Sequence, residues 1–325
     1  MTNLFKLANN FFETPILPNS KYALDKLLNN SGVEYHAVCQ TCSAYLGQHS
    51  KDQPYEYCTN CNSETQLKNP SDENYFILID PSVQIADLLH TYEDHYDYVM
   101  NKRIPNNENI MTDVYDGNVY TKFVSSLPPQ QQSKYVTIIF NTDGAPKFEN
   151  SKKSIWPIYL MLHELPQQER MNNLICCGLW FNEKKPDMIL FMDKFVNMFN
   201  NITSQGIRCN IKNEDITITP YIVSCCVDSV ARAPMQGMKQ FNGYYGCNWC
   251  LHPGEHDGVM MYTLQDVPVS LRTHEDTLQL MLQSDIDHIN FGVKYASPLI
   301  NLPSFNIVDG FVPDYMHFCL EGVAK

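Results

Sequence analysis

Hydrophobic and polar positions along this chain fall into two rhythms. Short β-branched and aromatic runs bounded by turn residues predict strands. They are FILID at 76–80, YVTIIFNTD from Tyr135, NLICCGLWF at 173–181, IRCNI at 207–211 and ITITPYIVSCCVD at 216–228. Apolar residues at helical spacing predict helices over 83–103, 187–206 and 272–287, the second closing on Gly206. Ser20–Asn30 can form a short amphipathic helix, and a helix-like pattern occupies 314–325. A short helix is expected after Asp228, broken by Pro234 and Gly237. The stretch DVYDGNVYTKF, 113–123, places Asp-Gly between two apolar segments and predicts a hairpin. From Tyr135 the order is strand, strand, helix, strand, strand, helix, which predicts an α/β domain with a mixed sheet.

The cysteines divide the chain further. Cys39-Gln-Thr-Cys42 and Cys58-Thr-Asn-Cys61 form C-x2-C-x15-C-x2-C. That spacing suits four thiolates around one tetrahedral zinc ion, and the aromatic and turn residues between the pairs suit the hairpins of a small zinc ribbon. All four positions are filled by protein, so such a site is structural. His36 and His49 read as surface residues beside it. The domain reading is an N-terminal segment (1–34), a zinc ribbon (35–66), a connecting region (67–130) and the α/β domain (131–325). A third pair, Cys247 and Cys250, has the same C-x2-C spacing without a matching fourth pair. His252 and His256 lie close by in sequence and His317 far away, and spacing alone leaves these partners open. Cys176, Cys177, Cys209, Cys225, Cys226 and Cys319 lie mostly in apolar strands and read as core.

Charge narrows the function classes. The net charge of −13 argues against a chain-wide basic face of the kind that binds nucleic acid by counterion release. Local basic stretches remain at Lys147–Lys153 and at Lys184 and Lys185. No run of about 18 apolar residues exists, so no membrane span is expected. The first residues lack a secretory apolar core, and a reducing compartment is expected, where clustered cysteines read as metal ligands.

Two aspartates close predicted strands: Asp143, in Asp143-Gly144, and Asp228, at the end of the YIVSCCV run. Neighbouring strands would bring both to one sheet edge. Paired carboxylates are hard oxygen ligands for Mg²⁺ or Mn²⁺, and two such ions can drive an in-line phosphoryl displacement. The plainer readings are an Asp-Gly turn for the first and a helix cap for the second.

Four stretches carry a family resemblance together: FNTDGAPKFENSKKSIWPIYLMLHELP, CGLWFNEKKPDM, DSVARAPMQGMKQFNGYYGCNWC and FVPDYMH. Over residues 130–325 they resemble the DDE transposases of the CACTA-related cut-and-paste elements and the proteins derived from them. The resemblance implies an RNase H-like fold with a zinc-binding insertion from about residue 240, similar to that of the V(D)J recombinase core. It implies Asp143 and Asp228 as the first two catalytic acids. It also implies Cys247, Cys250 and His317 as ligands of the insertion. A third acid, usually a Glu beyond the D-x2-H motif, has no match before Lys325; Glu321 stands where the family has an apolar residue, and the role of Asp314 is open. The chain is therefore expected to be a truncated protein without strand-transfer activity of its own. The expected cofactors are structural Zn²⁺ and catalytic Mg²⁺ or Mn²⁺. The expected partners are DNA, as transposon ends and target, and further copies of the full-length protein, in the nucleus. The alternatives are a domesticated or decayed zinc protein that binds DNA or protein without catalysis, and a zinc hydrolase using Cys247, Cys250 and a histidine.

Overall fold

The computed structural model describes residues 32–49, 55–67, 74–104, 106, 110–146, 154–182, 184–284 and 290–315. The chain forms two compact units, 1–80 and 81–325. The first unit is built from β1 (Val33–Val38), β2 (Tyr45–Gln48), β3 (Tyr55–Tyr57), β4 (Glu64–Gln66) and β5 (Tyr75–Ile79). β1 lies between β2 and β5, antiparallel to both, and β3 pairs with β4 as a hairpin. Ala37, Leu67 and Tyr75 form its small core, with Tyr35 and Leu46 packed against them. His36 is buried rather than at the surface. It sits on a central strand opposite Phe76, with the two rings stacked at 4.8 Å, and its Nδ1 meets the Tyr45 hydroxyl at 2.9 Å. A ring partner plus a hydrogen bond is what makes a histidine tolerable there.

The second unit is organised by one sheet. Its strands are β6 (Tyr135–Thr142), β7 (Ala145–Pro146), β8 (Ser154–Leu162), β9 (Ile175–Asn182), β10 (Ile207–Ile211), β11 (Glu214–Val227) and β14 (Phe311–Pro313). A separate exposed hairpin, β12 (Glu255–Asp257) and β13 (Val259–Met261), stands apart from it. β6, β8 and β9 form an antiparallel run. β11 then joins β6 in parallel. Beyond β11, the antiparallel β10 covers its first residues and the parallel β14 covers its last three. The order β9-β8-β6-β11-β14 thus has three antiparallel strands followed by two parallel to the first. β8 is the long strand that the hydrophobic rhythm did not disclose. SIWPIYLML buries alternate residues, but Pro157 interrupts its β-forming run.

The helices are α1 (Ser82–Thr91), α2 (Glu93–Asp97), α3 (Asn118–Ser126), α4 (Met188–Gln205), α5 (Ser229–Gln236) and α6 (His274–Gln283). The expected helix over 83–103 is therefore α1 and α2 followed by a π-turn at Tyr98–Lys102. α4 is the main helix on the sheet. Asp187 caps its first turn by accepting the N–H groups of Ile189 and Leu190, and Gly206, at φ 69°, ends it. Phe191, Phe195 and Phe199 recur at helical spacing and are fully buried, Phe195 lying 5.3 Å from Phe140 of β6. Each such ring stabilises the fold by roughly 2–3 kcal/mol.

The hairpin expected at 113–123 does not form. Asp113 caps a 3-10 turn, Val114–Asp116, and α3 follows at once. The acids there bond to nearby backbone: Asp113 accepts from Val114 N at 2.6 Å and Asp116 from Thr112 N at 2.9 Å, while Asp113 is also held by both Nη groups of Arg170 and Asp116 by Arg103. Such side-chain-to-backbone bonds compete with strand pairing. α3 then buries Tyr120 and Phe123 against Tyr135 and Tyr221. The helix expected at 20–30 and the helix-like segment after Tyr315 lie outside the described residues.

A buried polar network sits at the start of β6. Glu164 is fully buried; its carboxylate accepts the Thr137 N–H and hydroxyl, both at 2.7 Å, and the Tyr120 hydroxyl at 3.1 Å. Because the Thr137 hydroxyl donates to Glu164, it accepts from Nδ1 of His163, 3.0 Å away. Burial pushes Glu164 up to about 7 from 4.5, against the Thr137 and Tyr120 bonds. Burial also pushes His163 down to about 3 from 6.5, helped by Arg170. The two act in opposite directions on stability. The folded chain holds the Glu164 proton between pH 4.5 and 7, so that contribution, on the order of 3 kcal/mol, is lost as pH rises through 7. The unfolded chain takes up the His163 proton below pH 6.5, so the folded state loses stability as pH falls towards 3. Glu164→Gln removes the first slope and leaves the second. Urea unfolding at pH 4.5 and 6.5 is expected to show stability rising with pH in the variant more steeply than in the wild type.

Candidate metal centres and a carboxylate edge

The four cysteines of the first unit converge. The sulfurs of Cys39, Cys42, Cys58 and Cys61 all lie within 4.8 Å of one another. Cys39 and Cys61 are 3.6 Å apart and Cys42 and Cys58 3.4 Å. A disulfide needs about 2.05 Å, whereas four sulfurs about 2.3 Å from one zinc ion stand roughly 3.8 Å apart. The donor set and spacing therefore fit a metal ion such as zinc. Two matching turns build the site. The Ser43 N–H donates to the Cys39 carbonyl at 2.9 Å and the Asn62 N–H to the Cys58 carbonyl at 2.8 Å. Ser43 and Asn62 take positive φ, 62° and 55°, to close those turns.

The electrostatics of the cluster call for a cation. Burial works against ionisation of Cys39, but the Ser63 hydroxyl and the backbone around it hold that thiol at about 5. Ser63 lies 3.0 Å from Cys61 and lowers it too. Cys42 is drawn down by the Ala44 N–H, yet the packed sulfurs of Cys58, Cys61 and Cys39 push it up to about 12. Four thiolates in this space repel unless a metal ion neutralises them.

In the second unit, Asp143 is the first residue after β6, Asp228 the first after β11 and Asp314 the first after β14. β11 pairs Cys225 with Phe140 on one side and with Phe311 on the other. Each aspartate stands three residues beyond its member of that row, so the sheet brings all three to the same edge. The Asn141 amide donates to the Cys226 carbonyl at 2.6 Å and ties β6 to β11 just before it. Asp143 is exposed and accepts the Gly144 N–H at 2.7 Å. Only glycine fits next to it: a Cβ on Gly144 would lie 2.4 Å from the Trp156 ring. Asp228 caps α5 through the Ala231 N–H at 2.6 Å, so the plainer reading of this residue holds as well. Burial raises the thiol of Cys226, and the negative charge of the neighbouring Asp314 adds to it. Carboxylate oxygens are the donor type that Mg²⁺ and Mn²⁺ prefer, but among the described residues only the four cysteines bring three or more such ligand atoms within 4.8 Å of one another; the three aspartates share an edge without closing into a cluster of that kind.

A cavity of about 860 Å³ opens against this edge, lined by Asp228, Asp314, Arg232, Trp249, Cys247 and Cys250 among others. Arg232 lies one turn after Asp228 on α5, stacks 4.4 Å from the Trp249 ring and donates Nε to Asn248 Oδ1 at 3.2 Å. Cys250 is raised by burial and by the adjacent Cys247 sulfur. His252 does not join them. Its Nδ1 accepts the Gly254 N–H at 2.9 Å, so Nε2 carries the proton donated to the Thr263 carbonyl at 2.7 Å. Both ring nitrogens are committed to backbone. His256 is exposed on β12, and His317 lies outside the described residues. Asp314 is the edge residue whose role the sequence left open. Three residues of β14, FVP, are too short a strand to stand out in a hydrophobic pattern.

No known family matches the chain, and no characterised protein matches it significantly. The four-cysteine site is tested by metal content. Cys42→Ser is expected to lower bound zinc by one ion per chain, measured by elemental analysis of purified protein. It is also expected to abolish the thiolate-to-cobalt absorption of a four-sulfur site after cobalt exchange.

Proposed function

We propose that the second unit is the catalytic part of a DNA transposase of RNase H-like fold, cutting and joining DNA by metal-assisted phosphoryl transfer. One observation carries this reading. Asp143 and Asp228 each follow adjacent parallel strands at matching register, in a sheet of order β9-β8-β6-β11-β14 with a helix before and after β11.

The chain's own residues have definite tasks in this reading. Asp143 and Asp228 are the catalytic carboxylates, and Asp314, in register on the other side of β11, adds a third negative oxygen donor to the edge. Divalent ions bound there supply Lewis acidity, activating water or a 3′-hydroxyl and neutralising charge on the leaving oxygen. The cap from Asp228 to Ala231 fixes that side chain on the strand-to-helix junction. Arg232 is the one Arg or Lys among the described residues lining the cavity, and its charge faces any phosphate drawn to the edge. Cys247 and Cys250 hold a second, structural zinc with His317 as a further ligand, while Cys39, Cys42, Cys58 and Cys61 hold the first. The substrate is DNA, transposon ends and target, and the place of action is the nucleus, with the full-length protein working as an oligomer.

The net charge of −13 favours a second reading, a zinc-stabilised protein descended from a transposase that no longer cuts DNA. The full-length protein separates the two. Nicking of duplex DNA in Mn²⁺ is expected to fall at least a hundredfold in Asp143→Asn and in Asp228→Asn. No nicking by the wild type sinks the catalytic reading. Nicking untouched by either substitution points instead to a hydrolase working from the cysteine pair.

A further inference from the structure

Cys247 and Cys250 share the C-x2-C spacing of the two turns in the first unit but not their backbone. In those turns the first cysteine's carbonyl is closed by the N–H four residues on, from Ser43 and from Asn62. The equivalent residue here is Leu251, and its N–H goes to the Ser270 carbonyl at 2.9 Å. It is drawn away because Trp249–Leu251 runs beside Ser270–Arg272, bridged at Cys250 and Leu271. Nor is Leu251 at positive φ, as Ser43 and Asn62 are. The bond that closes the other two turns is thus missing from the backbone.

A side chain replaces it. Nε of Arg272 donates to the Cys247 carbonyl at 3.0 Å. Nη2 of the same guanidinium donates to the carbonyls of Tyr245, at 3.1 Å, and Phe291, at 2.8 Å. The main-chain N–H of Arg272 meets the Trp249 carbonyl at 2.9 Å. Arg272 is 6% exposed, and its Nη1 is buried without a hydrogen-bond partner among the described residues. Placing a guanidinium there costs free energy that an ordinary turn would not demand. The residues between the cysteines are held from the other side, Asn248 by Arg232 and by Gln236 at 2.5 Å, and Trp249 under the Arg232 guanidinium.

We propose that Arg272 is the positioning residue of a metal centre at Cys247 and Cys250, its guanidinium supplying the closing hydrogen bond that a backbone N–H supplies in the four-cysteine site. The proposal rests on the reading of this pair as metal ligands. Arg272 touches no metal; it sets the direction in which the two sulfurs point. Residues of this kind, bonded to the ligands rather than to the metal, change affinity by about ten- to a hundredfold when replaced.

Cobalt titration of the full-length protein tests it, because a four-sulfur and a two-sulfur site absorb differently and are counted separately in one sample. The wild type is expected to take up two ions. Arg272→Lys keeps the charge but not the fork that reaches three carbonyls. It is expected to weaken the second site at least tenfold and leave the four-sulfur spectrum unchanged. Leu271→Ala, at the exposed neighbour, is expected to change neither. Full affinity at the second site in a folded Arg272→Lys protein overturns the proposal. Uptake of only the four-sulfur ion by the wild type overturns the metal reading beneath it, a distinguishable result. If Arg272→Lys loses its native circular dichroism, recovery on adding cobalt supports a shared role in shaping this turn. Failure to recover marks Arg272 as a general staple and overturns it.

Discussion

The parallel pairing of β6 with β11 is the constraint from which the rest of the second unit follows. Its register sets Cys225 opposite Phe140, and three residues later it delivers Asp228 and Asp143 to one edge. β11 is long enough to take β10 along its first residues and β14 along its last. That second pairing adds Asp314 to the same edge. A slip of one residue in either pairing would turn one carboxylate to the opposite face of the sheet, because side chains alternate along a strand. The register is held by burial on both faces: Ile138, Phe140, Ile222 and Cys225 are almost wholly enclosed on one, and Thr137 and Tyr221 are buried on the other. The chemistry of the edge is thus secured by apolar residues that take no part in it.

The ends of the same sheet serve different purposes. Near the start of β6 the enclosed polar groups are matched donor to acceptor, with Thr137 linking Glu164 and His163. A network satisfied in this way specifies one arrangement of the core. At the other end the polar groups lead to a cavity. Asp228 is shared between a helix cap and the edge, and Arg232, one turn further along α5, reaches the residues between Cys247 and Cys250. The carboxylate edge and the cysteine pair are therefore joined through a single short helix, although they call for different ligand chemistry. Hard oxygen and soft sulfur donors select different ions, so proximity does not make the two sites interchangeable.

The cysteine turns show how one motif can be built in two ways. In the four-cysteine site, a positive-φ residue closes each turn from within. At Cys247 the neighbouring strand claims the closing N–H, and a guanidinium from that strand takes its place. The turns share the C-x2-C spacing but not the closing residue, which is Ser43 or Asn62 in the first unit and Leu251 here. What packs alongside differs as well.

The sequence by itself determined the elements with strong local signatures. The four-cysteine site was legible in its spacing, because a tetrahedral thiolate site needs two close pairs joined by a hairpin. β6, β9, β11 and α4 were legible because long apolar periods outweigh local irregularity, and the place of Asp143 and Asp228 at strand ends came with them. Tertiary structure decided the rest. β8 carries Pro157 and β14 has only three residues, so their identity comes from the strands that accept them. The segment 113–123 turned from hairpin to helix because Asp113 and Asp116 bond to nearby backbone and α3 found a buried face. His36 and His252 read locally as exposed or ligating, yet one is stacked in a core and the other is spent on backbone groups. Asp314 and Arg272 gained their positions only through pairing with residues 86 and 25 positions away, measured from Asp228 and Cys247. Short-range pattern records what a segment can form, and long-range pairing fixes which side chains it meets.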